Sequence, residues 1–319
     1  MLLSIVIPAR NEEESLPELH RQIAEVAKTN SYDMEIIFID DGSNDGTWRV
    51  MEHLAAADER VRALRFRRNF GKAAGLCAGF AETHGDIVIT LDADLQDDPH
   101  EIPNLLAKLN ECSGPDGRPY DVVSGWKKTR HDPRFLKVIP SRIFNGMIGF
   151  LTGVKLHDHN CGMKAYRSEV VREVRMYGEM HRFVPVLAAA RGFRVTEIPV
   201  QHRPREHGAS KYGFTRFVKG FYDLLTVKFA TTWGDRPLHV LGTWALILGT
   251  LGLAAMIGAI FIPCPKCNLF TTALGAVLMV TSVLCVLTGL STELRFFHHT
   301  PDRPTYAISQ RTGQEKDSE

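Results

Sequence analysis

Two stretches near the carboxyl end of this chain limit its folding more than any other feature. Residues 238–262 read LHVLGTWALILGTLGLAAMIGAIFI, with no formal charge and one titratable group, His239. Residues 269–290 read LFTTALGAVLMVTSVLCVLTGL, again without charge. A helix on a soluble core is apolar along one stripe, whereas these are apolar on every face. Each is long enough to cross a hydrocarbon layer of about 30 Å as a helix. The connector between them, PCPKCN, has six residues, so the spans are predicted to form a tight hairpin. Arg236 and Arg295 at its outer ends outnumber Lys266 in the connector, which predicts a cytoplasmic location for the bulk of this integral membrane protein. The expected organisation is a soluble domain over 1–212, an amphipathic interfacial region over 213–235, the hairpin over 236–295 and a polar tail over 296–319. Two spans are too few for a channel, so the hairpin reads as an anchor.

The rest of the composition mainly excludes. A net charge of +1 gives no global field toward nucleic acid, and no such partner is expected. Basic residues do cluster locally, at Lys127, Lys128, Arg130, Arg134, Lys137 and Arg142, and again at Arg203, Arg205, Lys211, Arg216 and Lys219. Such clusters are solvated faces or receive phosphates and anionic lipid. The six cysteines, at 77, 112, 161, 264, 267 and 285, show no secreted-domain spacing. Cys264 and Cys267 form a CxxC with no second pair or histidine set nearby to complete a zinc site. The N-terminus, MLLSIVIPAR, lacks a basic leader and reads as a first strand.

From there apolar runs alternate with helical patterns. SIVIP (4–8), EIIFI (35–39), VRALRF (61–66), DIVITL (86–91) and DVVSG (121–125) read as strands. Helical patterns follow with Leu16, Leu19, Ile23 and Val26 on one face, then from Thr47, from Lys72 to Glu82, and after Pro99. This order predicts an α/β fold with a mostly parallel sheet covered on both faces. Ligands of such sheets sit outside the carboxyl ends of the strands. At those ends stand Pro8-Ala9-Arg10-Asn11-Glu12, Asp40-Asp41-Gly42-Ser43 and Asp92-Ala93-Asp94-Leu95-Gln96. Acid gathered on one rim repels itself unless a cation or hydrogen-bond donors lie between. No GxGxxG follows the first strand and no GxxxxGK[ST] occurs, so neither nucleotide fingerprint is present. Gly71, Gly75 and Gly79, four apart, read as close helix packing. A nucleotide diphosphate would be held by a divalent ion bridging it to carboxylates.

PARNEE, IDDGSNDGT and LDADLQDDP, in that order at strand ends, resemble the GT-A glycosyltransferases of family 2. DHNCGMKAYR (158–167), HRPREHGASKYG (202–213) and the hairpin narrow the resemblance to the polyprenyl-phosphate hexosyltransferases, the group of dolichol-phosphate mannose synthase. It spans about residues 3 to 292. It implies a GT-A domain followed by interfacial helices and a two-helix transmembrane hairpin that packs against copies of itself. It implies a nucleotide-sugar donor bound by Pro8, Ala9, Arg10, Glu12, Ile39, Asp41, Asp92 and Ala93, with Arg10 standing where relatives often carry an aromatic. It implies Mg²⁺ or Mn²⁺ on Asp92, Asp94 and Gln96, and Arg205 and Lys211 closing over the phosphates.

A divalent ion with Arg205 and Lys211 would stabilise the charge that develops on the leaving nucleotide. A polyprenyl phosphate acceptor is already largely anionic at neutral pH, because its second pKa is about 6. Asp158 is the candidate to orient it or take a residual proton, with Asn160, Ser141 and Arg142 as acceptor-phosphate contacts. Attack opposite the leaving group predicts inversion. FTRFVKGFYDLLTVKF (214–229) and the segment 133–151 interleave aromatic, aliphatic and basic residues as membrane-surface helices do. His181 and Arg182 are given no chemistry. Alternatives are transfer to another membrane lipid, which the basic patches disfavour, and a non-catalytic membrane scaffold, which the intact acid set disfavours.

Overall fold

The structure, a computed structural model, describes residues 1–113, 117–128, 139–174, 176, 178, 180–201, 203, 215–232 and 237–299. Arg205, Lys211 and the tail beyond residue 299 lie outside the described residues, as does the side chain of Arg142.

Seven strands form one sheet: β1 (Leu2–Ala9), β2 (Asp33–Asp40), β3 (Val61–Arg65), β4 (Ile87–Thr90), β5 (Val122–Lys127), β6 (Lys164–Arg167) and β7 (Val195–Val200). Their order is β3-β2-β1-β4-β6-β5-β7. Four pairings are parallel, and β6 runs antiparallel to both neighbours, with Thr90 opposite Lys164 and Ile87 opposite Arg167. The antiparallel direction brings the start of β6, not its end, to the rim where β1, β2 and β4 finish.

Successive strand residues point to opposite faces, so each unbroken apolar run feeds two cores. Leu3, Ile5, Ile7, Ile36 and Phe38 pack with α1 (Leu16–Asn30) and α4 (Ile102–Leu109) on one side. Val6, Ile37, Ile39 and Val88 pack on the other with α3 (Lys72–Ala81), α6 (Ser168–Glu173) and α7 (Val184–Ala190). A Cβ on Gly79 would lie 2.4 Å from Val6 Cγ1, and one on Gly75 would lie 3.1 Å from Pro8 Cβ. The four-residue glycine spacing therefore seats α3 directly on β1. Two further helices are α2 (Thr47–Ala57) and α5 (Ile139–Thr152).

Contacts divide the chain after Val227, within α8 (Thr215–Thr232). In the first unit α8 is two-sided: Leu224 and Val227 are buried, while Phe221, Tyr222 and Leu225 are exposed. In the second unit α9 (Pro237–Ala259) and α10 (Pro265–His299) are long and apolar enough to cross a membrane. They pack closely on each other. A Cβ on Gly252 would lie 2.9 Å from the Gly275 carbonyl, and Ser282 Oγ donates to Ala245 O at 2.7 Å. Small residues and interhelical hydrogen bonds are how helices associate where no water drives them together. The remaining surface is apolar and exposed, with Leu246, Ile260, Leu269 and Phe270 each more than 70% accessible. A soluble core helix would have buried them. α10 is longer than the span expected from sequence. Its extension carries Glu293, whose carboxylate accepts from the Leu238 N–H at 3.0 Å and so caps the start of α9.

Candidate active site

The rim is built by loops that cross-link one another. Asn11 N–H donates to Ser43 Oγ at 3.0 Å and Glu12 N–H to Thr47 Oγ1 at 2.8 Å, while Asn44 N–H donates to Asn11 Oδ1 at 3.0 Å. Ala9 pairs with Asp40 in register, and Pro8 and Ile39 lie one residue back along the same two strands. Two of the acids expected here are engaged in holding loops. Asp40 is fully buried, accepts from Ser43 N–H at 2.8 Å and meets Arg65 at 3.2 Å. Asp41 accepts from Asn69 Nδ2 at 2.5 Å, Phe70 N–H at 2.7 Å and Gly71 N–H at 3.0 Å, which fixes the turn into α3. Self-repulsion is thus relieved by giving each carboxylate its own donors.

Beside these loops a cleft of about 600 Å³ is lined by Arg10, Ser43, Arg65, Arg67, Arg68 and Asn69 among others, with no acidic residue in its wall. Arg65 also lies over Trp48, and Arg68 stacks on Phe70 at 4.5 Å. Planar guanidiniums in such a wall suit phosphate oxygens or the face of a heteroaromatic ring.

Asp92 and Asp94 follow β4 with buried Ala93 between them. Asp92 is paired with the ammonium of Lys72 at the first residue of α3, an ion pair that sequence reasoning missed. A lysine at a helix N-terminus opposes the helix dipole, and that mismatch was the available signal. The Asp92 carboxylate lies against backbone at Gly162, where a Cβ would fall 2.4 Å from it. Thr90 Oγ1 donates to Gly162 O at 2.7 Å and keeps that backbone in place. Asp94 Oδ1 accepts from Gln96 N–H at 3.3 Å, with Leu95 in the left-handed region at φ 59°.

Gln96 binds the chain that leaves β7. Its carbonyl accepts from Arg203 N–H at 2.9 Å and its Nε2 donates to Arg203 O at 3.5 Å. The Arg203 guanidinium reaches Asp98 at 2.5 Å and Gln22 Oε1 at 3.2 Å. The chain leaving β7 is therefore tied, at Arg203, to the loop that carries Asp94.

Behind the rim lies a buried set of charges. Lys127 meets Asp97 at 3.1 Å, with both side chains largely buried. Burial opposes the Lys127 charge, yet Asp97, with Cys161, Asp92 and Asp158 nearby, holds its pKa above the ordinary value. Lys164 is fully buried and donates to Cys161 O; burial, with Lys72 nearby, pulls its pKa down. Burial pushes the Cys161 thiol up to about 12, which makes it a poor nucleophile. Burial and Lys164 together lower His159 to about 4. Asp158, 1% exposed, accepts from Asn160 N–H at 3.0 Å and shapes the turn into β6, while Asn160 itself is exposed. Ser141 is half-buried on α5. Asn145, one helical turn further on, donates to His157 O at 2.7 Å and ties α5 to this turn. His181 and Arg182 are buried, away from these loops in sequence.

Among the described residues no three His, Cys, Asp or Glu side chains converge as a ready-made metal cage. The donors at Asp92, Asp94 and Gln96 are nonetheless hard oxygens, and Asp92 already holds a cation in the form of Lys72. Such a set fits Mg²⁺ or Mn²⁺ when a diphosphate completes the coordination.

A family model described as glycosyl transferase family 2 matches residues 4–175. Dodecaprenyl-phosphate galacturonate synthase of Rhizobium johnstonii is 36% identical over 317 residues, covering 97% of this chain and 92% of that protein. Undecaprenyl-phosphate 4-deoxy-4-formamido-L-arabinose transferase of Pseudomonas fluorescens is 40% identical over 252 residues, 79% of this chain and 70% of its own length. Among solved structures, glucosyl-3-phosphoglycerate synthase of Mycobacterium tuberculosis, crystallised with Mn²⁺, UDP and phosphoglyceric acid, matches with a TM-score of 0.53 at 18% identity, covering 72% of this chain and 78% of that one. Mannosyl-3-phosphoglycerate synthase of Rubrobacter xylanophilus gives 0.54 at 15% identity, over 72% and 73%. These structures speak to the fold alone; the family rests on the sequence matches. With more than half of the chain matched by the family model and a relative aligned over nearly all of it, the chain belongs to glycosyl transferase family 2 and is a GT-A glycosyltransferase.

Proposed function

We propose that this enzyme transfers one sugar, with inversion, from a nucleotide diphosphate sugar to a polyprenyl phosphate at the cytoplasmic face of a membrane. The observation that carries the reading is the Asp92 carboxylate at the rim, held between Lys72 and the bare backbone of Gly162. Relatives named for dodecaprenyl- and undecaprenyl-phosphate products support the acceptor class. The apolar helix pair supports a reaction at a bilayer, where the lipid tail of such an acceptor stays.

In this reading Pro8, Ala9, Arg10, Glu12, Ile39 and Asp41 line the nucleoside end of the donor, with Asp41 acting partly by holding the 69–71 turn. Asp92, Asp94 and Gln96 hold the divalent ion, which when bound neutralises the diphosphate and eases its departure. Lys72 moves from Asp92 to a phosphate oxygen as the donor arrives. Arg205 and Lys211 add positive charge as the bond to the sugar breaks, carried there by a segment that Gln96 anchors at Arg203. The acceptor phosphate, already anionic, needs no strong base. Asp158 positions the 158–162 turn, while Asn160, Ser141 and Arg142 meet the acceptor phosphate.

The test is a panel of labelled nucleotide sugars, including UDP-galacturonate and UDP-4-deoxy-4-formamido-L-arabinose, offered with undecaprenyl phosphate to the purified full chain. Lipid-linked product is expected with Mn²⁺ or Mg²⁺, lost with EDTA and lost in Asp94→Ala. Undiminished transfer by Asp94→Ala removes the metal assignment, and product retaining the donor's anomeric configuration removes single displacement.

A further inference from the structure

At the corner between α9 and α10 stands the sequence Cys264-Pro265-Lys266-Cys267, which has no part in the proposed glycosyl transfer. Asn268 N–H donates to Cys264 O at 2.8 Å, the first i to i+4 bond of α10, so Cys264 is the N-cap and Pro265 opens the helix. Asn268 Nδ2 also donates to Ala259 O at 2.8 Å, which ties the corner to the end of α9. Both thiols are exposed on this braced turn. Residues three apart in a helical turn have Cα atoms about 5 Å apart, inside the range of about 4.4–6.8 Å that a disulfide spans. The neighbouring Cys267, with the backbone N–H groups at the helix start, holds the Cys264 pKa below its ordinary value. Of the other cysteines, Cys161 is buried, Cys77 and Cys285 are half-buried, and Cys112 is exposed in an unrelated loop. A thiol at a helix N-terminus with a second one turn later is the arrangement in which thiolate character and a resolving partner coincide.

We propose that Cys264 and Cys267 are a reversible dithiol that closes to a disulfide across the first turn of α10. The oxidant is another disulfide, either a small-molecule one such as glutathione disulfide or an exposed protein disulfide. The Cys264 thiolate attacks one sulfur of that disulfide and expels the first thiol. Cys267, losing its proton, then attacks the Cys264 sulfur and expels the second. Two protein thiols are oxidised and one external disulfide is reduced to two thiols. The closed ring clamps the helix start at the hairpin corner.

The full chain in detergent micelles, equilibrated in glutathione buffers of graded ratio and acid-quenched, tests this directly. After alkylation and cleavage at Lys266, the flanking fragments stay joined only if the disulfide has formed. The joined fraction is expected to rise as one two-electron transition, tenfold in its oxidised-to-reduced ratio for each tenfold change in [GSSG]/[GSH]². Cys264→Ser should abolish joining and leave Cys267 at most glutathionylated, as Cys112 serves to calibrate. Three results overturn the proposal: fragments that separate at every ratio, a disulfide found only between two copies, or alkylation-resistant thiols accompanied by stoichiometric zinc, which would mean that two copies share a metal.

Discussion

A methyl group placed on Gly162 probes the site more selectively than removing any of its charges. The added Cβ would sit 2.4 Å from the Asp92 carboxylate carbon and from Oδ2, and 2.6 Å from Oδ1. Ordinary contact begins near 3.4 Å, so the carboxylate must retreat by about 1 Å, a displacement that commonly lowers catalysis about 100-fold. That corresponds to about 2.7 kcal/mol of lost transition-state stabilisation. The Asp92 side chain is 28% accessible and has room to swing outward, so the folding penalty should stay near the low end of the ~1–3 kcal/mol typical of overpacking. The assay pairs kcat/KM for lipid-linked product with Mn²⁺ binding followed by electron paramagnetic resonance, both on Gly162→Ala. Gly146→Ala, where a Cβ would meet nothing within 4 Å, is the control and should be neutral. A folded Gly162→Ala protein that binds Mn²⁺ and turns over within twofold of the parent would falsify the claim that the Gly162 backbone sets the Asp92 position.

Three further outcomes are expected. Asp97→Asn should destabilise the fold by about 3–5 kcal/mol in urea titration, because Lys127 would keep a buried charge without its carboxylate partner; an unchanged midpoint would refute it. Arg203→Ala should lower transfer at least tenfold, since Arg203 bonds both Gln22 and Asp98 and its backbone is held by Gln96 in the loop that carries Asp94; activity equal to the parent's would refute it. Lastly, His159 has a folded pKa near 4 against the ordinary 6.5, so the unfolded chain takes up its proton first as pH falls. Its contribution is complete above pH 6.5 and declines toward pH 4, by about 3 kcal/mol. His159→Asn should flatten urea midpoints measured between pH 7 and 4.5, and a slope identical to the parent's would refute it.

Much of this architecture could be read from the chain. Strands β1 to β5 are short apolar runs that their own alternation divides between two cores, and the loops at their ends carry the motifs. β6 and β7 escaped because their polar residues conceal them. KAYR buries Lys164, which no periodicity rule anticipates, and VTEIPV contains Pro199, tolerated because β7 is an edge strand. Within the site, the acid-rich rim was legible but its partners were not. Asp41 serves the 69–71 turn, Asp97 serves Lys127, and Asp92 faces Lys72. Pairings between residues 20 to 30 positions apart depend on three-dimensional proximity that a linear reading does not supply.

The reversed direction of β6 has a consequence for how such an enzyme can diversify. A parallel strand brings its exit to this rim, but β6 brings its entrance, so the turn over 158–162 is the one that stands beside the ends of β1, β2 and β4. The joint between β6 and α6, where Ser168 N–H meets Asp86 O at 3.0 Å, lies at the opposite pole of the sheet. Insertions after Arg167 should therefore be tolerated as silent ornament, whereas a single extra residue before Lys164 would redraw the rim proposed to receive the acceptor.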